Sequence, residues 1–370
     1  MDGWRRGEVE VDFGAGPVVV ARGLKVLAVD NPVPMPAEGP INWSELEKLP
    51  DLITIMWSGP DRGVVAAAAA RGVRFLYWSD ADGDVDLSGC SVESVRLGGA
   101  GLCSVRLPTT IRRLQLNDPP LPDLPVEAPD NGHGLQLQLF WRTANRDQIR
   151  VPAGLLRVTS LWLWADREIT LSVLEGLADL EELQIAFSTA PGTLTDLSAL
   201  RLLPALRTVE FDSAYDWDPH TMPRLPHLRQ FVLDGVRRTT ADTMKAALKG
   251  SPVKLTVRGT KTDTWLAVNM FNPFRDWIHD SKAFGTAACK AYTKARTAVD
   301  AAPANGPERT PALESALRGL VADLNAINAR HEHIDTLNRE HAIDVLLDLA
   351  DHAGVPTNLA ERWIDADRRW

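Results

Sequence analysis

The residues of this chain best placed to do chemistry are suited to recognition rather than bond-breaking. A series of polar and aromatic residues alternates with apolar ones: Phe75 and Tyr77, Arg96, Arg106, Arg113 and Gln115, then Gln136, Gln138 and Phe140, then Trp162 and Trp164. It continues through Glu182, Gln184, Glu210, Asp212 and Asp234. On a strand, successive side chains point to opposite faces, so these residues share the face that the apolar ones do not use. The row runs from aromatic to basic to amide to aromatic to acidic. Trp, Tyr and Arg dominate interface energetics, and truncating a desolvated Trp anchor costs about 2–4 kcal/mol. Arg96, Arg106, Arg112 and Arg113 could grip carboxylates or phosphates through bidentate bonds; the alternative is a ladder with Asp and Glu of adjacent turns. For Trp162 and Trp164 the alternative is packing on each other or beneath the C-terminal helices.

Other constellations carry less. His331, Glu332 and His333, with Asp335, His341, Asp344, Asp348 and His352, suggest metal ligands. Residues two apart on a helix face different sides, and no His-Glu-x-x-His pair is present. His341, Asp344 and Asp348 share a face, but one that lies opposite the Ile343, Leu346, Leu347 stripe, as a solvated face would. Cys289 precedes Lys290 in mid-helix, without the His or helix N-terminus that would activate a thiolate. No phosphate loop, nucleophile elbow or kinase signature occurs. No enzyme activity, metal or cofactor is expected.

The elements that must position the row are read from a recurring pattern: apolar, two variable, apolar, one variable, apolar. It occurs as Leu24-Leu27-Val29, Leu52-Ile55-Trp57, Val73-Leu76-Trp78, Val92-Val95-Leu97, Leu102-Val105-Leu107 and Ile111-Leu114-Leu116. It returns as Val158-Leu161-Leu163, Leu180-Leu183-Ile185, Leu206-Val209-Phe211 and Leu228-Phe231-Leu233, with degenerate copies at Gly134-Leu137-Leu139 and Pro252-Leu255-Val257. From Ile111 the units recur roughly every 22–26 residues, within the range of repeat architectures. With Leu107-Pro108, Leu124-Pro125 and Leu203-Pro204, the pattern resembles the bacterial leucine-rich-repeat family, L-x-x-L-x-L. The resemblance implies an α/β leucine-rich-repeat solenoid that binds partners on its concave face. The asparagine usual after the last leucine is absent: Pro60, Ala81, Ser188 and Ala214 stand there, so other groups must satisfy the backbone at the bend. Some leucine-rich-repeat effectors carry a ubiquitin ligase with a Cys-x-Asp nucleophile, but Cys289 is followed by Lys290 and Ala291. Pro119 to Gly134 reads as a loop.

Past Gly259 the pattern turns helical, with apolar stripes at Phe284–Ala298, Leu313–Ile327, Ile343–Ala350 and Leu359–Ile364. The expected organisation is an N-terminal cap over 1–22, the solenoid over 23–261 and an all-α bundle over 262–370. Thr310-Pro311 is the expected start of the second helix, and Trp265, Phe271, Phe274 and Trp277 are expected to seal bundle to solenoid. The net charge of −9 argues against a general nucleic-acid binder, though it leaves room for a local basic patch. The longest uncharged small-apolar run, Val64–Ala70, is too short to cross a bilayer. No signal-peptide core follows Met1–Arg6. With three scattered cysteines, the reading is a cytoplasmic protein. The function expected is a non-catalytic protein- or peptide-binding scaffold. The alternatives are a glycan or small-ligand site centred on Trp162 and Trp164, or an enzyme in the C-terminal helices.

Overall fold

The computed structural model describes residues 7–29, 32–118, 124–141, 150–189 and 191–370. The chain divides into two compact units, Met1–Thr260 and Lys261–Trp370. The first opens with an antiparallel hairpin, Glu8–Val11 against Val18–Ala21, which buries Val11, Phe13 and Val20 in the unit's core. Residues 1–6 of the expected cap and 119–123 of the expected loop lie outside the described residues, and the rest of that expected loop instead holds a strand, Val126–Glu127, and a 3-10 turn, Pro129–Gly132.

A 12-stranded parallel sheet dominates this unit, with Pro32–Val33 and Val26–Val29 at one edge. Neighbours then follow in chain order: Thr54–Ser58, Phe75–Ser79, Ser94–Gly98, Arg113–Asn117, Gln136–Trp141, Ser160–Ala165, Glu182–Phe187, Thr208–Asp212, Gln230–Asp234 and Lys254–Arg258. Alternation gives most of these strands one buried face, although Gln136–Trp141, Glu182–Phe187 and Gln230–Asp234 also bury residues on the other face and Lys254–Arg258 buries none fully. Ile55, Leu76, Val95, Leu114, Leu137, Leu161, Leu183, Val209 and Phe231 are each at most 1% exposed. Trp57, Trp78, Leu97, Leu116, Leu139, Leu163, Ile185, Phe211 and Leu233 form a second buried rank two residues on. Burying each such side chain stabilises by about 1.5–3 kcal/mol.

The bends after the strands need partners for their backbone groups, and two devices supply them. Neighbouring turns bond to each other: Gly59 N donates to Ser79 O and Ala81 N to Gly98 O. Buried indoles supply the rest. Trp57 Nε1 donates to Pro60 O at 3.0 Å, Trp78 Nε1 to Gly59 O at 2.7 Å and Trp217 Nε1 to Ala214 O at 3.1 Å. Gly59 takes φ of 97°, open to glycine at little cost.

The expectation of a leucine-rich-repeat solenoid is corrected here. The architecture is α/β, a large parallel sheet and a separate set of helices, and it shows no constant repeating unit. The return segments differ in kind: an α-helix at Val64–Arg71, a strand at Gly101–Arg106, 3-10 turns at Leu171–Leu174 and Leu197–Leu202, and an α-helix at Arg238–Ala247. The spacing misleads for a physical reason. Two inward residues two apart mark any half-buried strand, and the apolar residue three positions earlier (Leu52, Val73, Val92, Leu180, Leu206) is buried in the turn that enters it. The copy at Leu102-Val105-Leu107 falls in a second sheet, in which Asp82–Asp86, Gly101–Arg106 and Val126–Glu127 pair in parallel.

The second unit has α-helices at Asp263–Asn269, Lys282–Asp300, Arg309–His331, Thr336–His352 and Thr357–Asp367, plus a 3-10 turn at Pro273–Ile278. Asp335 caps its helix by accepting from Asn338 N. Thr310-Pro311 does not begin a helix as expected. The helix starts at Arg309 with Glu308 as N-cap, so Pro311 lies inside the first turn, where its missing N–H costs nothing. Phe274 and Trp277 are buried in this unit's own core, while Phe271 is 80% exposed. Among the described residues no helix is long and apolar enough to cross a membrane.

Candidate functional site

The parallel register aligns the polar row across the large sheet. Tyr77, Arg96, Gln115, Gln138, Trp162, Gln184 and Glu210 stand side by side on seven adjacent strands. A second rank carries Asn117, Phe140, Trp164, Ala186 and Asp212. A third carries Phe75, Ser94, Arg113 and Gln136. Most of these side chains are half-exposed or exposed, in contrast to the buried ranks on the other face.

One member of the expected row lies elsewhere. Arg106 belongs to the second sheet, where its guanidinium is held by Asp86 at 3.1 Å and Glu127 at 2.7 Å. Leu102-Val105-Leu107 carries the same apolar spacing as the copies in the main sheet, so the sequence offers no sign that Arg106 leaves it.

The centre of the face is aromatic. Phe140 and Trp164, paired in register, stack with centroids 5.4 Å apart and planes 27° apart. Trp162 lies 6.0 Å from Trp164 and 5.9 Å from Phe140. The rings therefore pack on each other and stay half-exposed. Ala186, small and buried, stands beside Trp164 in register. Trp162 Nε1 is buried and has no hydrogen-bond partner among the described residues. Such a donor costs about 1–3 kcal/mol until an acceptor reaches it. Gln138 and Gln184 flank Trp162 on either side.

On the basic side, the Arg96 guanidinium lies 4.9 Å from the Tyr77 ring centroid, a cation–π stack. Arg113 Nε donates to Gln136 Oε1 at 2.7 Å, and Gln115 Nε2 donates to Asn117 Oδ1 at 2.8 Å. Tyr77, Arg96, Asn117, Met56, Ser58 and Ser79 line a depression of about 330 Å³. On the acidic side, Arg258 bridges Glu210 at 3.3 Å and Asp234 at 3.0 Å. Burial pushes the Glu210 carboxyl above its ordinary range; Arg258 opposes this, and Asp212 and Asp234 add to it. Arg258 and Asn117 were missed in the sequence, because each ends a strand, where alternation stops being informative.

The second unit supplies no comparable site. Among the described residues no group of three or more His, Cys, Asp or Glu is placed to hold a metal ion. His341 instead accepts from Trp277 Nε1 at 3.0 Å, and burial pushes its pKa down. The Cys289 thiol is buried, and burial pushes its pKa up to about 11, far from a thiolate nucleophile.

No protein-family model matches the chain, and no curated protein matches it. The likeness to bacterial leucine-rich-repeat proteins thus rests on residue spacing alone.

Proposed function

We propose that this chain is a non-catalytic docking protein that takes a protein or peptide partner on the exposed face of its large sheet. The observation that carries the proposal is the half-exposed, mutually packed Phe140–Trp162–Trp164 cluster on the face opposite the core. Mutually stacked rings on strands lose little freedom when a partner arrives, so their burial converts efficiently into affinity. The partly exposed Gln184 amide beside them can donate to and accept from a partner backbone. The net charge of −9 favours a protein over a nucleic acid. A cytoplasmic setting belongs to the same proposal, supported by three unpaired cysteines, of which Cys103 is exposed.

The test is recovery of partners by the full chain and by a Trp162→Ala, Trp164→Ala variant whose circular dichroism and melting match the parent. Loss of about 2–4 kcal/mol of binding is expected from the anchors. Unchanged recovery by the folded variant would remove the proposal. A sugar is the second reading, favoured by the amides in register on both sides of Trp162. It predicts glycan binding that depends on the two tryptophans and is indifferent to Arg96.

A further inference from the structure

Charged groups on the exposed face are ion-paired at one end and not at the other. The acidic end carries its own counter-ion, since Arg258 sits on both Glu210 and Asp234. Three further arginines of the first unit are matched, Arg74 with Glu93, Arg106 with Asp86 and Glu127, and Arg157 with Asp130 and Asp179, while Arg62 and Arg71 bond backbone carbonyls. Arg96 and Arg113 differ. Among the described residues neither has a carboxylate within ion-pair distance. Arg96 lies over Tyr77, and Arg113 is held by the neutral Gln136 amide. Both are exposed, they stand on adjacent strands, and Arg96 borders the depression shared with Asn117, Ser58 and Ser79. Two unmatched guanidinium groups on a chain of charge −9 form a local anion-seeking patch beside an aromatic anchor.

Accepting the docking reading above, we infer that the partner is an extended peptide segment crossing the strands, with a carboxylate side chain on Arg96 and Arg113 and an apolar side chain on Trp162 and Trp164. The register fixes the spacing. Arg96 and Trp162 are three strands apart, which at strand separations of about 4.8 Å is about 14 Å. An extended chain covers that span in about four residues. The recognition pattern is therefore an Asp or Glu about four positions from a Leu, Phe or Trp. Gln115, partly exposed between the two anchors, faces the peptide backbone, while Gln138 beside it is buried.

The experiment is selection of a displayed random-peptide library on the full chain, followed by titration of the selected peptides by fluorescence anisotropy. Acid and apolar residues at that spacing should be enriched, and added salt should weaken binding. An Arg96→Gln, Arg113→Gln variant should bind the selected peptides at least about tenfold more weakly and lose most of the salt dependence. Arg106→Gln, which lies off the face, should change neither. Peptides that need the two tryptophans but show no acidic preference would overturn this inference and leave the docking reading intact. Acidic peptides indifferent to Arg96 and Arg113, or a poly-uridine oligonucleotide preferred over them at the same arginines, would also overturn it. No binder, or binders indifferent to Trp162→Ala with Trp164→Ala, would remove both.

Discussion

Glu210 is a half-buried carboxylate whose cost the fold tolerates. Because burial raises its pKa, its contribution is most favourable below the unfolded value, about 4.3, and is lost as pH rises through the folded value. Glu210→Gln should therefore melt higher than the parent at neutral pH, and the gap should close as pH falls below about 4. Thermal melts across that range check it, and a gap independent of pH would contradict it. His341 has the opposite shift. Burial lowers its pKa, so the unfolded chain takes up the proton first, and stability is lost as pH falls below about 6.5. Protonation also removes the acceptor that Trp277 Nε1 uses. His341→Gln keeps an acceptor and cannot titrate. Its melting temperature should fall less than the parent's between neutral pH and mildly acidic pH, measured on the same chain.

At the scale of elements, one close approach and one core position can be tested. Gly285 lies in the first turn of the helix Lys282–Asp300, against the 3-10 turn Pro273–Ile278. An added Cβ there would come within 2.2 Å of Ile278 N, a backbone atom that cannot swing away. Gly285→Ala should push the helix off the turn, disturb the Trp277–Phe284 stack at 4.9 Å, and cost about 1–3 kcal/mol. In the large sheet, Leu139 is fully buried on the strand that also presents Gln138 and Phe140. Leu139→Ala should cost about 2–5 kcal/mol and weaken partner binding indirectly, by loosening the strand that carries Phe140. Chemical denaturation measures both losses.

At the scale of the molecule, each unit has its own hydrophobic core: one runs from Val11 to Met244, the other from Phe274 to Trp370. Calorimetry of the whole chain should resolve two transitions, with Leu139→Ala lowering one and Gly285→Ala the other. A single transition shifted by both would show instead that the units unfold together. The sequence alone determined most strands of the large sheet and their inward residues, because alternation between water and core leaves a period of two in a half-buried strand, but not the short strands Val126–Glu127, Glu168–Thr170 and Thr193–Thr195. It also determined the helical stripes of the second unit and the alignment of Tyr77, Arg96, Gln138 and Trp162 on one face. It did not determine the return segments, so a spacing that resembles leucine-rich repeats proved compatible with a sheet whose connections share no common form. Nor could it separate Arg106 from Arg113. Each flanks an apolar position in a similar strand, and only the pairing of strands far apart in the chain decides which sheet receives it. Tertiary structure likewise decided which charges stay unmatched, since Arg258 reaches Glu210 across 48 positions of chain, a proximity that no local pattern encodes.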